Sequence, residues 1–387
     1  MKKIISLVLL FSIAITANAV GIIENMEPVK LYTINTPYEY PIVPGTAEWE
    51  KLETNVDKIN ACAVPNKVIN NMTTEALLKT YLTHPMIINL FAYDNDYDVA
   101  FNMMKSYYNI GLDELVSRED VANEILKSYS EIEVFDGTIE ATLSNDERDM
   151  LFDMKLEESF ELMRHEILAA QIELDDTNPV HVLLKNEIAK KSQEKQKNLD
   201  FYGLGYMCYY DALPYNKDVE LQNYEVNIVT PKGNLVRDAM KITEEWSQSS
   251  LDKVTKEFEA VYKKAKEVAP ATAKYNCHSY AWHSQSTDND IWLFDPTLYM
   301  TDGSYSQTAS ARANTRIYYS YETAPDPPYK YGGTHSGIVT NTVNTTSGMY
   351  VRSKWAAGKL YDHEYNDCPY YHLENGQYKG SITYWYR

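Results

Sequence analysis

The chain has 387 residues, of which 44% are hydrophobic and 24% charged. That is enough apolar material for about two folded domains and too much for wholesale disorder. Lys and Arg number 36 against 55 Asp and Glu, a formal charge of −19. This excess of acid argues against a nucleic-acid partner or an anionic lipid surface, both of which need a basic face.

At the start, Lys2 and Lys3 precede an apolar run over residues 4–15 and the small-polar-small triplet Ala17-Asn18-Ala19. This is the pattern of a secretory signal, residues 1–19, cleaved after Ala19. The run is too short to span a bilayer, which takes about 20 residues, so a secreted or periplasmic protein without stable membrane insertion is expected. The cysteines are Cys62, Cys208, Cys277 and Cys368, with no CxxC pair and no finger-like spacing. A structural zinc or other metal is therefore not expected, nor any cofactor, and export permits disulfides without requiring them.

Residues 20–64 carry Pro28, Pro37, Pro41 and Pro44 and read as an irregular lead-in. Helical periodicity then dominates. Residues 74–82 form a short amphipathic helix, and Ser117-Arg118-Glu119-Asp120 opens another with a capping-box pattern, followed by Val121, Ile125 and Leu126 at helical spacing. Ser144 to Glu147 opens a long helix through about residue 174, and Pro179 starts a Lys-rich one. Within the long helix His165-Glu166 begins a zincin-like motif, but Ala169 stands where the second histidine belongs. The pair reads as helix surface.

Residues 201–233 break the pattern with glycines and prolines, and 224–229 alternate like a strand. A second helical stretch is expected over 235–268, its latter half capped near Ser249 and buried through Val254, Phe258, Val261 and Tyr262. After Pro270 the chain is rich in Tyr and Trp, with β-like runs at 316–321, 335–339, 349–355 and 382–386. The expected fold class is α+β. A mostly helical module over 65–233 precedes a catalytic domain over 234–387, with a boundary that could lie near 200 or 265.

One constellation carries chemistry. In Tyr275-Asn276-Cys277-His278-Ser279-Tyr280-Ala281-Trp282, Asn276 is a good N-cap and places Cys277 in the first turn of a helix. There the unpaired N–H groups favour a thiolate. Further on, Gly333-Thr334-His335-Ser336-Gly337-Ile338-Val339 reads as a turn entering a strand headed by His. A base at a strand start facing a cysteine at a helix start is what a Cys–His pair needs. The following strand, 350–355, offers a third polar group. His278 and His283 read as helix surface or cleft rim, and His84, His181 and His372 as structural or exposed. Trp282, Trp292, Tyr299, Tyr305 and Trp355 would line a cleft or pack a core.

The run YNCHSYAW … HSGIV … SKW … H … CPY resembles the papain-like bacterial cell-wall amidases and peptidases, the NlpC and CHAP group, over about residues 230–387. It looks closest to a secreted branch with NCHSYAW and SKWG-like signatures. The resemblance implies a papain-like domain in which Cys277 is the nucleophile and His335 the base. The Cys277 backbone N–H would contribute to the oxyanion hole. Ser353 or Lys354 would orient the imidazole, or His363 in their place. The substrate implied is a peptide or a peptidoglycan-like stem peptide. Two other classes share these residues: a non-catalytic carbohydrate- or wall-binding protein, and a Cys–His acyltransferase.

Overall fold

Local capping sets where the first helices begin. The computed structural model describes residues 32–93, 97–135, 143–195, 226–237, 239–242, 245–320, 335–342, 348–374, 377–378 and 380–387. Residues 1–19, expected to be a secretory signal, and Cys208 lie outside these. The helices of the first part are α1 (Asn55–Ala61), α2 (Asn66–Ile69), α3 (Thr74–Leu82), α4 (Tyr97–Tyr107), α5 (Leu112–Val116), α6 (Val121–Glu131), α7 (Asn145–Ala170) and α8 (Pro179–Lys195). Thr54 and Ser144 accept from the N–H groups of Asp57 and Glu147, whose carboxylates bond back, so α1 and α7 open on capping boxes.

Four expectations need correction. The lead-in is not wholly irregular: it holds a 3-10 turn, Trp49–Lys51, and α1. No capping box forms at Ser117, because Arg118 is drawn inward to the carbonyls of Met72 and Ile69, and Asp120 accepts from Thr74 instead. His165 and Glu166 are buried, not on the surface. Glu166 accepts from Tyr129 and Lys195, each at 2.5 Å, and His165 Nε2 lies 2.9 Å from Ser128 Oγ. Lastly, the stretch 235–268 is not one helix. Gly233, at φ 86°, turns a small hairpin of β1 (Ile228–Val229) and β2 (Leu235–Val236), and β3 (Ala239–Lys241) follows. Only then comes α9 (Gln248–Val261), capped by Ser247.

The remaining strands are β4 (Lys266–Ala269), β5 (Ile291–Leu293), β6 (Ser306–Thr308), β7 (Arg316–Ser320), β8 (His335–Thr342), β9 (Met349–Lys354), β10 (Leu360–Glu364), β11 (Leu373–Glu374), β12 (Gln377–Tyr378) and β13 (Ser381–Tyr386). Seven of them form one antiparallel sheet in the order β4-β10-β9-β8-β7-β13-β6. The chain is thus α+β, a helical region followed by an antiparallel sheet.

Side chains alternate across the sheet, so its two faces have different neighbours. One face carries Ile317, Tyr319, Val339, Val351 and Tyr361 and joins a core that runs back through Phe258 and Tyr262 to Trp49, Leu90 and Phe160. The other carries Ile338 and Leu360 and packs on Tyr275, Tyr280, Trp282 and Tyr299. The helical region and α9 therefore cover one face, and the segment around Cys277 covers the other.

Polar ties cross the helix–sheet junction. Trp49 Nε1–H donates to the Val261 carbonyl at 2.9 Å, and the Tyr262 hydroxyl donates to Asn55 at 2.8 Å. Lys58 forms a buried ion pair with Asp367.

Candidate functional site

The segment 275–283 is built as its sequence suggests, but it is short. Asn276 Oδ1 accepts from the N–H groups of Ser279 at 3.0 Å and Leu293 at 3.2 Å, and its Nδ2 donates to the Leu293 carbonyl at 2.9 Å. One side chain therefore caps the turn and fastens it to β5. Beyond His278 the turn continues as a π-helix, Ser279–His283. Cys277 sits in the first turn but is only 2% exposed.

This turn is clamped to the strand that carries the histidine. Ser336 Oγ lies 2.8 Å from His278 Nδ1 and accepts from Trp282 Nε1–H at 2.8 Å. His278 is accordingly buried, correcting the surface reading, whereas His283 is exposed. Ser336 precedes Gly337 and follows His335, so the thiol-bearing turn abuts the start of β8.

His335 itself points the other way. Strand alternation sets it on the face opposite Ser336, beside Tyr319, with which it pairs in register. Its ring stacks on Tyr370 with centroids 3.4 Å apart and planes 4° from parallel. Neither ring nitrogen has a hydrogen-bond partner, and the residue is fully buried. No Cys277–His335 hydrogen bond is therefore present. Burial, with smaller contributions from His363 and His278, pushes the His335 pKa well below the usual histidine value and keeps the ring neutral.

Ser353 and His363, alternative orienters by sequence, are joined to each other. His363 Nδ1–H donates to the Glu364 carbonyl at 2.8 Å, which leaves Nε2 to accept from Ser353 Oγ–H at 2.7 Å. Ser353 in turn accepts from Trp355 Nε1–H at 3.0 Å. Burial lowers the His363 pKa to about 4, so this chain of bonds is neutral. Both side chains share the face of His335, and neither bonds to it. Lys354 lies on the opposite face and is committed to the carbonyls of Thr272, Ala356 and Gly358.

Trp282, Trp292, Tyr299, Tyr305 and Trp355 are each at most 5% exposed, so they pack cores rather than line an open cleft. An open cavity of about 410 Å³ does adjoin the segment, lined by Glu245, Lys274, Tyr275, Asp288 and Asp290 among others, but its lining includes neither Cys277 nor His335. Among the described residues no cluster of His, Cys, Asp and Glu could hold a metal, and no disulfide links Cys62, Cys277 or Cys368. Sequence reasoning gave no role to Tyr370, although it lies in the quoted CPY triplet. A ring stack between residues 35 apart has no local sequence signal.

The fold and site together define an α+β chain with a buried thiol turn locked to a histidine-headed strand. Comparisons with family models, curated proteins and solved structures find no match. Among the described residues, no helix is long and apolar enough to cross a membrane.

Proposed function

We propose that this is an exported cysteine amidohydrolase or peptidase with a papain-like C-terminal domain. It would cleave an amide bond in a peptide or peptidoglycan-like stem peptide, with Cys277 as nucleophile and His335 as base. The observation that carries the reading is the Ser336 lock, in which His278 and Trp282 hold the cysteine turn against the residue next to His335. A neutral imidazole can take the thiol proton, and a buried one without hydrogen-bond partners is held in an uncompensated state that an incoming group would relieve. In the conformation described, the ring faces away from the thiol turn, so pairing requires the start of β8 to turn over. Ser353 and His363 share the face that the ring would leave, so they would not orient it after that change.

The test is thiol-probe labelling with site mapping, alongside amide turnover. Labelling at Cys277, with turnover abolished by Cys277→Ser and by His335→Ala, is the expected result. The double variant should lose little more than either single one, because the two side chains act as a unit. The burial of Cys277 and the separation of the two side chains favour a second reading, a non-catalytic carbohydrate- or wall-binding protein. Polysaccharide binding that survives Cys277→Ser, with no label on Cys277, would select it.

A further inference from the structure

We propose that residues 366–372 form an internal plug, clamped by the helical region, that shields His335. The plug's contact with the histidine is the Tyr370 ring, stacked face to face at 3.4 Å and covering the imidazole. A set of long-range ties then joins this segment to the helical region. The Tyr370 hydroxyl donates to the Ala92 carbonyl at 2.7 Å, and the Tyr93 hydroxyl lies 3.1 Å from the Pro369 carbonyl and 2.7 Å from His372 Nε2. Asn55 donates from its backbone to the Asn366 carbonyl at 3.0 Å and from Nδ2 to the Tyr371 carbonyl at 2.9 Å. Lys58 pairs with Asp367, and Tyr107 stacks on His372 at 5.2 Å.

These ties explain why an imidazole with two unpartnered nitrogens stays buried. A stack in the core holds a ring whose polar atoms gain nothing there, and the clamp from α1 and the segment around residues 92–93 prevents the stack from opening. Burying such a group without partners is costly, and release of the plug would remove that cost. The helical region thereby acquires a task, holding the histidine in a resting position. Regulation of the site in this sense rests on the Cys–His reading, but the shielding of His335 does not.

The experiment is carbethoxylation of histidines in the full chain with diethyl pyrocarbonate, quantified for each histidine peptide by mass spectrometry. In the wild-type protein His283, which is exposed, should react quickly and His335 should not. Tyr370→Ala should raise His335 reactivity at least tenfold while His165, buried between α6 and α7 with its ring bonded to Ser128 and Glu161, stays protected and reports intact folding. Tyr370→Phe, which keeps the ring, should leave His335 protected. If Tyr370→Ala does not fold, Lys58→Met combined with Asp367→Leu loosens the clamp without leaving a buried charge unpaired. That variant should raise His335 reactivity as well. His335 remaining unreactive in a folded Tyr370→Ala or clamp variant overturns the plug. His335 opening without any gain in Cys277 labelling or amide turnover supports the plug and removes the Cys–His reading.

Discussion

Acid should unfold this protein by protonating histidines that the fold buries neutral. His84, His165, His363 and His372 are at most 1% exposed, and desolvation lowers their pKa values to about 3, 4, 4 and 3. In the unfolded chain each returns to about 6.5. The unfolded state therefore binds protons that the folded state refuses. Stability is fully present above about pH 6.5 and is lost as pH falls toward the folded values. At pH 5 each group withdraws about 2 kcal/mol, so the four together withdraw about 8 kcal/mol, comparable with the whole stability of many domains. Asp367 and Glu161, whose pKa values burial raises, work in the opposite sense. Urea unfolding followed by tryptophan fluorescence at pH 7.5, 6.0 and 5.0 measures the effect. The midpoint should fall steeply between pH 6.5 and 5, and spontaneous unfolding should set in between about pH 4 and 5. A midpoint unchanged down to pH 5 would refute the claim that these rings are buried neutral.

Two further outcomes follow from packing. Gly337→Ala places a methyl group against Val351 Cγ1 and 3.0 Å from the Arg352 carbonyl oxygen, with no room on a central strand, and should cost about 1–3 kcal/mol by thermal melting. A fragment of residues 234–387 should fail to fold cooperatively by circular dichroism, because the face of its sheet that bears His335 is covered by side chains from the helical region. A sharp melt from that fragment would show two independent cores.

Elements governed by neighbouring residues were legible in the sequence. The box at Ser144 and the cap at Asn276 depend on contacts a few residues apart, and the β-like runs 316–321, 335–339, 349–355 and 382–386 fall within about three residues of the observed strand ends. The α+β class followed from them. The stretch 235–268 misled because short strands carry little periodicity, and the β4 edge strand gains its definition from the distant β10. His165 and Glu166 looked like surface because charge suggests exposure. Their burial depends on Tyr129, Ser128 and Lys195, which arrive from α6 and α8.

The site shows the same limit more sharply. Sequence places Cys277 and His335 at the ends of the right elements, and those ends do meet through Ser336. Which face a strand's first residue takes is a parity question, and parity is fixed by the registers of β7, β8 and β9 together. With Ile338 and Leu360 packed beneath the cysteine turn, odd-numbered positions of β8 from His335 to Val339 must face the helical region. A one-residue shift of the strand start would carry the imidazole to the thiol side and Ser336 away from His278 and Trp282. The Ser336 lock and the Tyr370 stack therefore stabilise the same register from opposite faces. Any route to a Cys–His pair has to disturb both, or reverse the backbone at His335 alone.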